Sequence, residues 1–200
     1  MKSGGGARIY FVIFVFVLGA LFTDRADAGV RSLCSDIVTR LRIGHARLLH
    51  KVDVHEPLVP IRGVVDAVAV SIEKDGRFLL GHRLSEPMKN MWGQFGGKID
   101  AGESVVQAAK RELFEELGID ATEFKYEFVT YTHLKENGKF YRVFVLSLKT
   151  HSGDFHIKEP HKTSEMRWFA RSQIPFFLTS ATAEYFLRSG LHSSGIFARQ

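Results

Sequence analysis

The stretch GGKIDAGESVVQAAKRELFEELGI, Gly96 to Ile119, leaves the chain little local freedom. A glycine pair leads into an acidic turn, and the residues that follow keep helical spacing until Gly118, where a positive φ costs a glycine nothing in side-chain clash. A helix is therefore expected from Glu103 or Ser104 to Leu117. At about 100° per residue, Glu112, Glu115 and Glu116 share one face, while Val106, Ala109, Leu113 and Leu117 form an adjoining apolar stripe that would anchor the helix to a sheet. Like charges three and four residues apart destabilise a helix by a few tenths of a kcal/mol per pair, roughly, so this face works against the helix that carries it.

Three glutamates are ordinarily a solvated face. Here they come with other parts. Glu103 follows a glycine-containing turn, Gly96 and Gly97 allow backbone carbonyls to approach a bound ion, and Arg111 supplies a cation that orients Glu103 or a neighbouring acid. Hard divalent cations take oxygen ligands, keep waters and bind substrate phosphates, and such an ion turns mutual repulsion among carboxylates into coordination. The pattern points to a Mg²⁺ site, with Mn²⁺ as the alternative, presented to a diphosphate.

Upstream, VVDAVAVSIE (Val64 to Glu73) reads as a largely buried strand, turned by Asp75-Gly76 into a second strand, RFLLGHR. Downstream, KYEFVTYTHL and FYRVFVLSLK alternate as the arms of a hairpin about Asn137-Gly138. HSGDFHIKEPHKTSE reads as loop with one short extended element, MRWF as a last strand, and Ser180 to Leu191 as a helix with Tyr185, Phe186 and Leu187 on its apolar side. This order of elements implies an α/β fold, a mixed sheet covered by helices on both faces. Residues 61–200 are expected to form that domain, preceded by a helical extension over 29–60 that Pro57 and Pro60 break from it.

A formal charge of +5 suits phosphate-bearing substrates and is too small and scattered for a specific nucleic-acid-binding module. Cys34 is the single cysteine, which excludes an intrachain disulfide and a multi-cysteine zinc site, and the histidines lack compact ligand spacing. Lys2 and Arg8 precede a fourteen-residue apolar run, Ile9 to Phe22, followed by ADA at Ala26 to Ala28. Residues 1–28 therefore read as a cleaved export signal, a retained anchor or an early start on a cytoplasmic chain, and only a retained segment implies membrane contact.

Gly97, Glu103, Arg111, Glu112, Leu113, Glu115, Glu116, Gly118 and Ile119 fill every defined position of the signature of the Nudix hydrolase superfamily, which the chain closely resembles. The resemblance implies an α/β/α sandwich and Mg²⁺- or Mn²⁺-dependent hydrolysis of a nucleoside diphosphate linked to another group. It implies Glu112, Glu115 and Glu116 as the main metal ligands, the Gly97 carbonyl as a further one, and Glu115 or Glu116 as a helper of the attacking water. Glu103 and Arg111 would support them, and Glu159 would be a base drawn from a later loop. The fold admits a homodimer. WGQFGGKIDAGE, EMRWF and QIPF are similar to enzymes that sanitise oxidised purine nucleoside triphosphates, although the chain continues FLTSATAEYF without their tryptophan and acidic pair. Pro57-Leu58-Val59, FLLGHR, Pro87, Trp92 and Gly96-Gly97 are similar to GDP-mannose mannosyl hydrolases, which attack a sugar carbon. A nucleotide or a nucleotide sugar is thus the expected substrate, with a catalytically silent nucleotide-binding module as the opposing class. For substrate contact the candidates are Arg83 and Lys98 at the phosphates, Trp92 stacking on a base and Phe95 lining the pocket.

Overall fold

The computed structural model of the chain describes residues 36–40 and 53–190. The 1–28 segment, Cys34, most of the helix expected over 30–49 and Leu191 lie outside the described residues. Residues 36–40 are helical. The chain divides into two compact units, Met1–Lys51 with Ile61–Gly63, and Val52–Pro60 with Val64–Gln200. The stretch 53–60, expected in the N-terminal extension, thus lies in the second unit and carries no helix. Leu58 N–H donates to the Glu103 carbonyl at 3.3 Å, and Val54 accepts from Val106 N–H at 3.1 Å.

The second unit runs β1 (Val64–Ser71), β2 (Glu73–Lys74), β3 (Arg77–Arg83), β4 (Trp92–Gly93), α1 (Val105–Leu117), β5 (Asp120–Leu134), β6 (Lys139–Ser152), β7 (Thr163–Ala170), a 3₁₀ turn (Arg171–Gln173) and α2 (Ser180–Arg188). The two-residue turn Asp75-Gly76 has positive φ at both positions, 51° and 69°, the geometry whose twist matches a hairpin. That hairpin joins β2 to β3. β1 does not pair with β3 but lies parallel to β6, and β5 runs antiparallel to β6, giving a mixed sheet in the order β1-β6-β5. A parallel neighbour needs a long crossover, which the intervening chain with α1 supplies. The second sheet is antiparallel, with β2 and β4 pairing β3, and β7 also pairing β3.

Strand alternation sorts the core into two layers. From β1, β3 and β6, Val68, Val70, Leu79, Phe144 and Leu146 face α1, where Val105, Ala108, Ala109, Leu113 and Leu117 are buried. The opposite face, Ala69, Phe78, Leu80, Val143 and Val145, packs with Tyr185 and Phe186 of α2. Both faces of the strands are therefore covered, as an α/β/α sandwich requires. α1 is closed by a reciprocal capping box between Ser104 and Gln107 and by Gly118 at φ 73°. Leu187 departs from expectation: it is 56% exposed, because Ala181, Thr182, Tyr185 and Phe186 already define the buried stripe and the next residue turns out of it.

Candidate functional site

The Gly96–Lys98 segment is stitched to β1, with Val68 N–H donating to the Gly97 carbonyl at 2.9 Å and Val70 N–H to the Phe95 carbonyl at 2.8 Å. This brings the glycine pair beside the flank of α1. Gly96 sits at φ 137°, and a Cβ there would strike the Val68 backbone, its carbonyl carbon at 3.0 Å. A Cβ on Gly97 would fall 2.6 Å from Glu112 Oε2, so any other residue there would displace that carboxylate. Together these elements border a cavity of about 830 Å³, whose lining includes Gly97, Lys98, Arg83, Glu112, Glu116 and Lys162.

Three glutamates were expected on one helix face, and the structure divides them. Glu112 and Glu116, one turn apart, line the cavity, whereas Glu115 does not and its side chain is 47% exposed. Arg111 organises the group. It donates in a fork to Glu103, Nε to Oε1 at 2.9 Å and Nη2 to Oε2 at 3.0 Å, and it also reaches Glu112 at 2.8 Å, Glu115 at 3.3 Å and the Lys98 carbonyl at 2.9 Å. One planar guanidinium thus holds the acidic turn, the helix and the glycine segment in register. Glu103 also accepts from Asp100 N–H at 3.0 Å.

These contacts set the charges. The Arg111 bond holds the Glu103 carboxyl below its ordinary range, and the Glu103 bond in turn raises Arg111. Burial pushes Glu112 up, with Arg111 working against it. Burial raises Glu116 furthest, to about 7, although the Gly96 N–H donates to its Oε2 at 2.8 Å. Lys162 is raised by its bond to Glu159, at 2.8 Å, and by the negative charge of Glu116 and Glu112. Glu159 keeps a second oxygen, Oε2, buried without a partner.

The remaining sequence candidates separate in the same way. Arg83 and Lys98 line the cavity, and Arg83 Nε is buried and unpartnered. Phe95, expected to line the pocket, is 3% exposed and belongs to the core layer under α1. It closes over Gly81, where a Cβ would lie 3.0 Å from the ring. Trp92, expected to stack on a base, is not on the cavity lining: it packs edge-on against Phe169 at 4.9 Å and beside His82 at 5.1 Å. Lys162 and Gln94 were missed. Lys162 had only its spacing of three from Glu159 to mark it, and Gln94 had no local signal, because Lys162 is fastened to Leu84 and Gln94 to Thr182, both distant in sequence.

Among the described residues, no group of three or more His, Cys, Asp or Glu side chains stands in a ready-made metal cage. Glu112 and Glu115 direct oxygens at Arg111, and Glu116 directs one at Gly96. The residues nevertheless fit a hard cation: two desolvated carboxylates border one cleft, one of them lies against the Gly97 backbone, and the Gly97 carbonyl has a lone pair beyond its bond to Val68.

The family model of the NUDIX domain matches residues 62–189. Among curated proteins, the chain is 34% identical over 115 residues to an oxidized purine nucleoside triphosphate hydrolase of Danio rerio, covering 54% of this chain and 67% of that protein. It is 44% identical over 64 residues to a CTP pyrophosphohydrolase of Escherichia coli (strain K12), covering 32% of this chain and 47% of that protein. Among solved structures, a MutT NUDIX hydrolase from Burkholderia pseudomallei is similar with a TM-score of 0.58 and 32% identity, over 66% of this chain and 98% of that one. The E. coli ORF135 protein is similar with a TM-score of 0.53 and 26% identity, over 64% and 89% of the two chains.

Proposed function

The chain belongs to the NUDIX domain family, and from that premise we propose that it hydrolyses nucleoside triphosphates to nucleoside monophosphate and pyrophosphate with the help of Mg²⁺. It is a hydrolase of nucleotide phosphoanhydride bonds. The observation that carries it is the cleft itself, in which Glu112 and Glu116 share a lining with the cations Arg83, Lys98 and Lys162. Carboxylates and cations on one cleft lining suit a polyphosphate that arrives with a divalent ion. The relatives named above as a CTP pyrophosphohydrolase and a nucleoside triphosphate hydrolase favour a triphosphate over the nucleotide sugar.

Glu112, Glu116 and the Gly97 carbonyl, which border the cleft, would hold the cation, and Glu115 would join them by turning from Arg111. When bound, it would neutralise phosphate oxygens and offset charge developing on the leaving group. Arg83 and Lys162 bind the phosphates electrostatically and orient them. Glu116, whose Oε2 accepts from the Gly96 N–H at 2.8 Å, takes the proton of the attacking water. The water oxygen bonds to phosphorus, the P–O bond to the departing pyrophosphate breaks, and the accepted proton leaves to solvent. Arg111 and Glu103 are positioning residues that hold Glu112 and Glu115 in place. Glu159 acts on Lys162, to which it is bonded.

The test is a panel of nucleoside triphosphates, GDP-mannose and other nucleotide sugars, incubated with Mg²⁺, with Mn²⁺ and with EDTA, with products resolved by mass in ¹⁸O water. Monophosphate and pyrophosphate from triphosphates, lost with EDTA and lowered about 100-fold or more in Glu116→Gln, are expected. Sugar release without cleavage at phosphorus, or nucleotide binding with no turnover, would overturn the reading.

A further inference from the structure

Gln94 lines the cleft between β4 and the glycine pair, and the hydrolytic chemistry makes no use of it. Its backbone N–H donates to Thr182 Oγ1 at 3.0 Å, and the Thr182 hydroxyl reaches back to Gln94 Oε1 at 3.5 Å. With the Thr182 hydrogen directed there, the 2.8 Å contact between Thr182 and Thr179 takes its hydrogen from Thr179. Both threonines are buried, at 0% and 7% exposure, and Gly93 is pressed against them, since a Cβ there would meet Thr179 Cγ2 at 2.9 Å. The amide is thus oriented by a packed network through its oxygen. Its nitrogen, Nε2, is buried and has no hydrogen-bond partner.

A buried donor left without an acceptor costs about 1–3 kcal/mol. Such a group calls for an explanation, and a wall position in a ligand cleft supplies one: the acceptor arrives with the ligand. Among the described residues, the other buried unpartnered donor on the cleft lining is Arg83 Nε, whose charge matches phosphate. A neutral amide has no such preference and suits a neutral carbonyl. The cavity lining also includes Ala67, Ala69 and Val143, which are small or aliphatic, and the aromatic Tyr141, against which a flat ring can lie.

We propose that Gln94 is a specificity-determining residue, donating from Nε2 to an exocyclic carbonyl of the nucleobase and so selecting oxo-bearing bases over adenine. This rests on the reading of the chain as a nucleoside triphosphate hydrolase. The comparison that tests the carbonyl is inosine triphosphate against ATP, whose bases carry oxygen or an amino group at C6 with N1 protonated only in the first, measured as kcat/KM with the full chain and with Gln94→Met. The wild type is expected to prefer inosine triphosphate about tenfold, and Gln94→Met is expected to bring the ratio of the two kcat/KM values to about one. The wild-type ratio alone reads the preference where the variant does not fold. Equal wild-type turnover of the two nucleotides, or an equal change on both in the folded variant, overturns the role of Gln94 and leaves the hydrolase standing. A wild type that cleaves no triphosphate overturns both.

Discussion

At the scale of single residues, the site depends on where carboxylates are forced out of water. Glu116 has its folded-state value raised to about 7 from an ordinary 4.5, chiefly by burial. Native protein therefore binds that proton more tightly than unfolded protein does, so the stability this group contributes is complete below about 4.5 and is lost as pH rises through about 7. Glu103 acts in the opposite sense: its lowered value gives stability at neutral pH that is lost on acidification. Denaturant unfolding without divalent ions, at steps from pH 4.5 to 8, should show wild type losing stability relative to Glu116→Gln as pH rises; parallel curves would contradict the burial of that carboxyl. The acids and Arg111 were legible because their spacing of three and four residues is itself geometry. The division of labour between them was not, since Glu115 and Glu116 are neighbours in sequence and only packing of the helix decides which one faces the cleft.

Among elements, α1 is the most locally encoded. Its apolar stripe and its glycine stop agree with one another, which is why the helix could be read directly, and the structure adds a Ser104–Gln107 cap at its start. Ser104 Oγ accepts from Gln107 N–H at 3.2 Å, and Gln107 Oε1 accepts from Ser104 N–H at 2.8 Å. Ser104→Ala should cost about 1 kcal/mol in urea unfolding while hydrolysis persists, because Arg111 still fastens the helix to Glu103 and Lys98. α2 shows the limit of periodicity: three consecutive apolar residues, Tyr185 to Leu187, cannot all face one side of a helix. The aromatics Trp92 and Phe95 failed as pocket residues for a related reason, since large rings beside glycines are as useful for packing as for binding.

For the fold as a whole, the pairing that mattered most was invisible locally. β1 meets β6 in parallel, and at Asp66 opposite Arg142 the register creates a buried ion pair, Nε to Oδ1 at 2.6 Å and Nη2 to Oδ2 at 2.9 Å, with side chains 10% and 6% exposed. Arg142 also donates to the Val59 carbonyl at 2.9 Å, tying the 53–60 stretch to the sheet. Removing one partner leaves a buried charge alone, so Arg142→Met should cost about 3–5 kcal/mol in denaturant unfolding. The double variant Arg142→Met with Asp66→Leu should recover much of that loss. Equal losses in the single and double variants would show that packing of the arginine stem, rather than its charge, is what the fold needs.

By itself, the sequence determined the acidic helix, its glutamates, the two tight turns and the strand alternation, because each of these is written in spacings of a few residues, the range over which backbone geometry is fixed. Tertiary structure alone decided that β1 pairs with β6, that Glu116 rather than Glu115 is enclosed, and that Lys162 and Gln94 stand at the cleft. Those outcomes depend on which surfaces lose their water when distant segments meet, and a desolvated charge or an unpaired amide has no counterpart in local spacing.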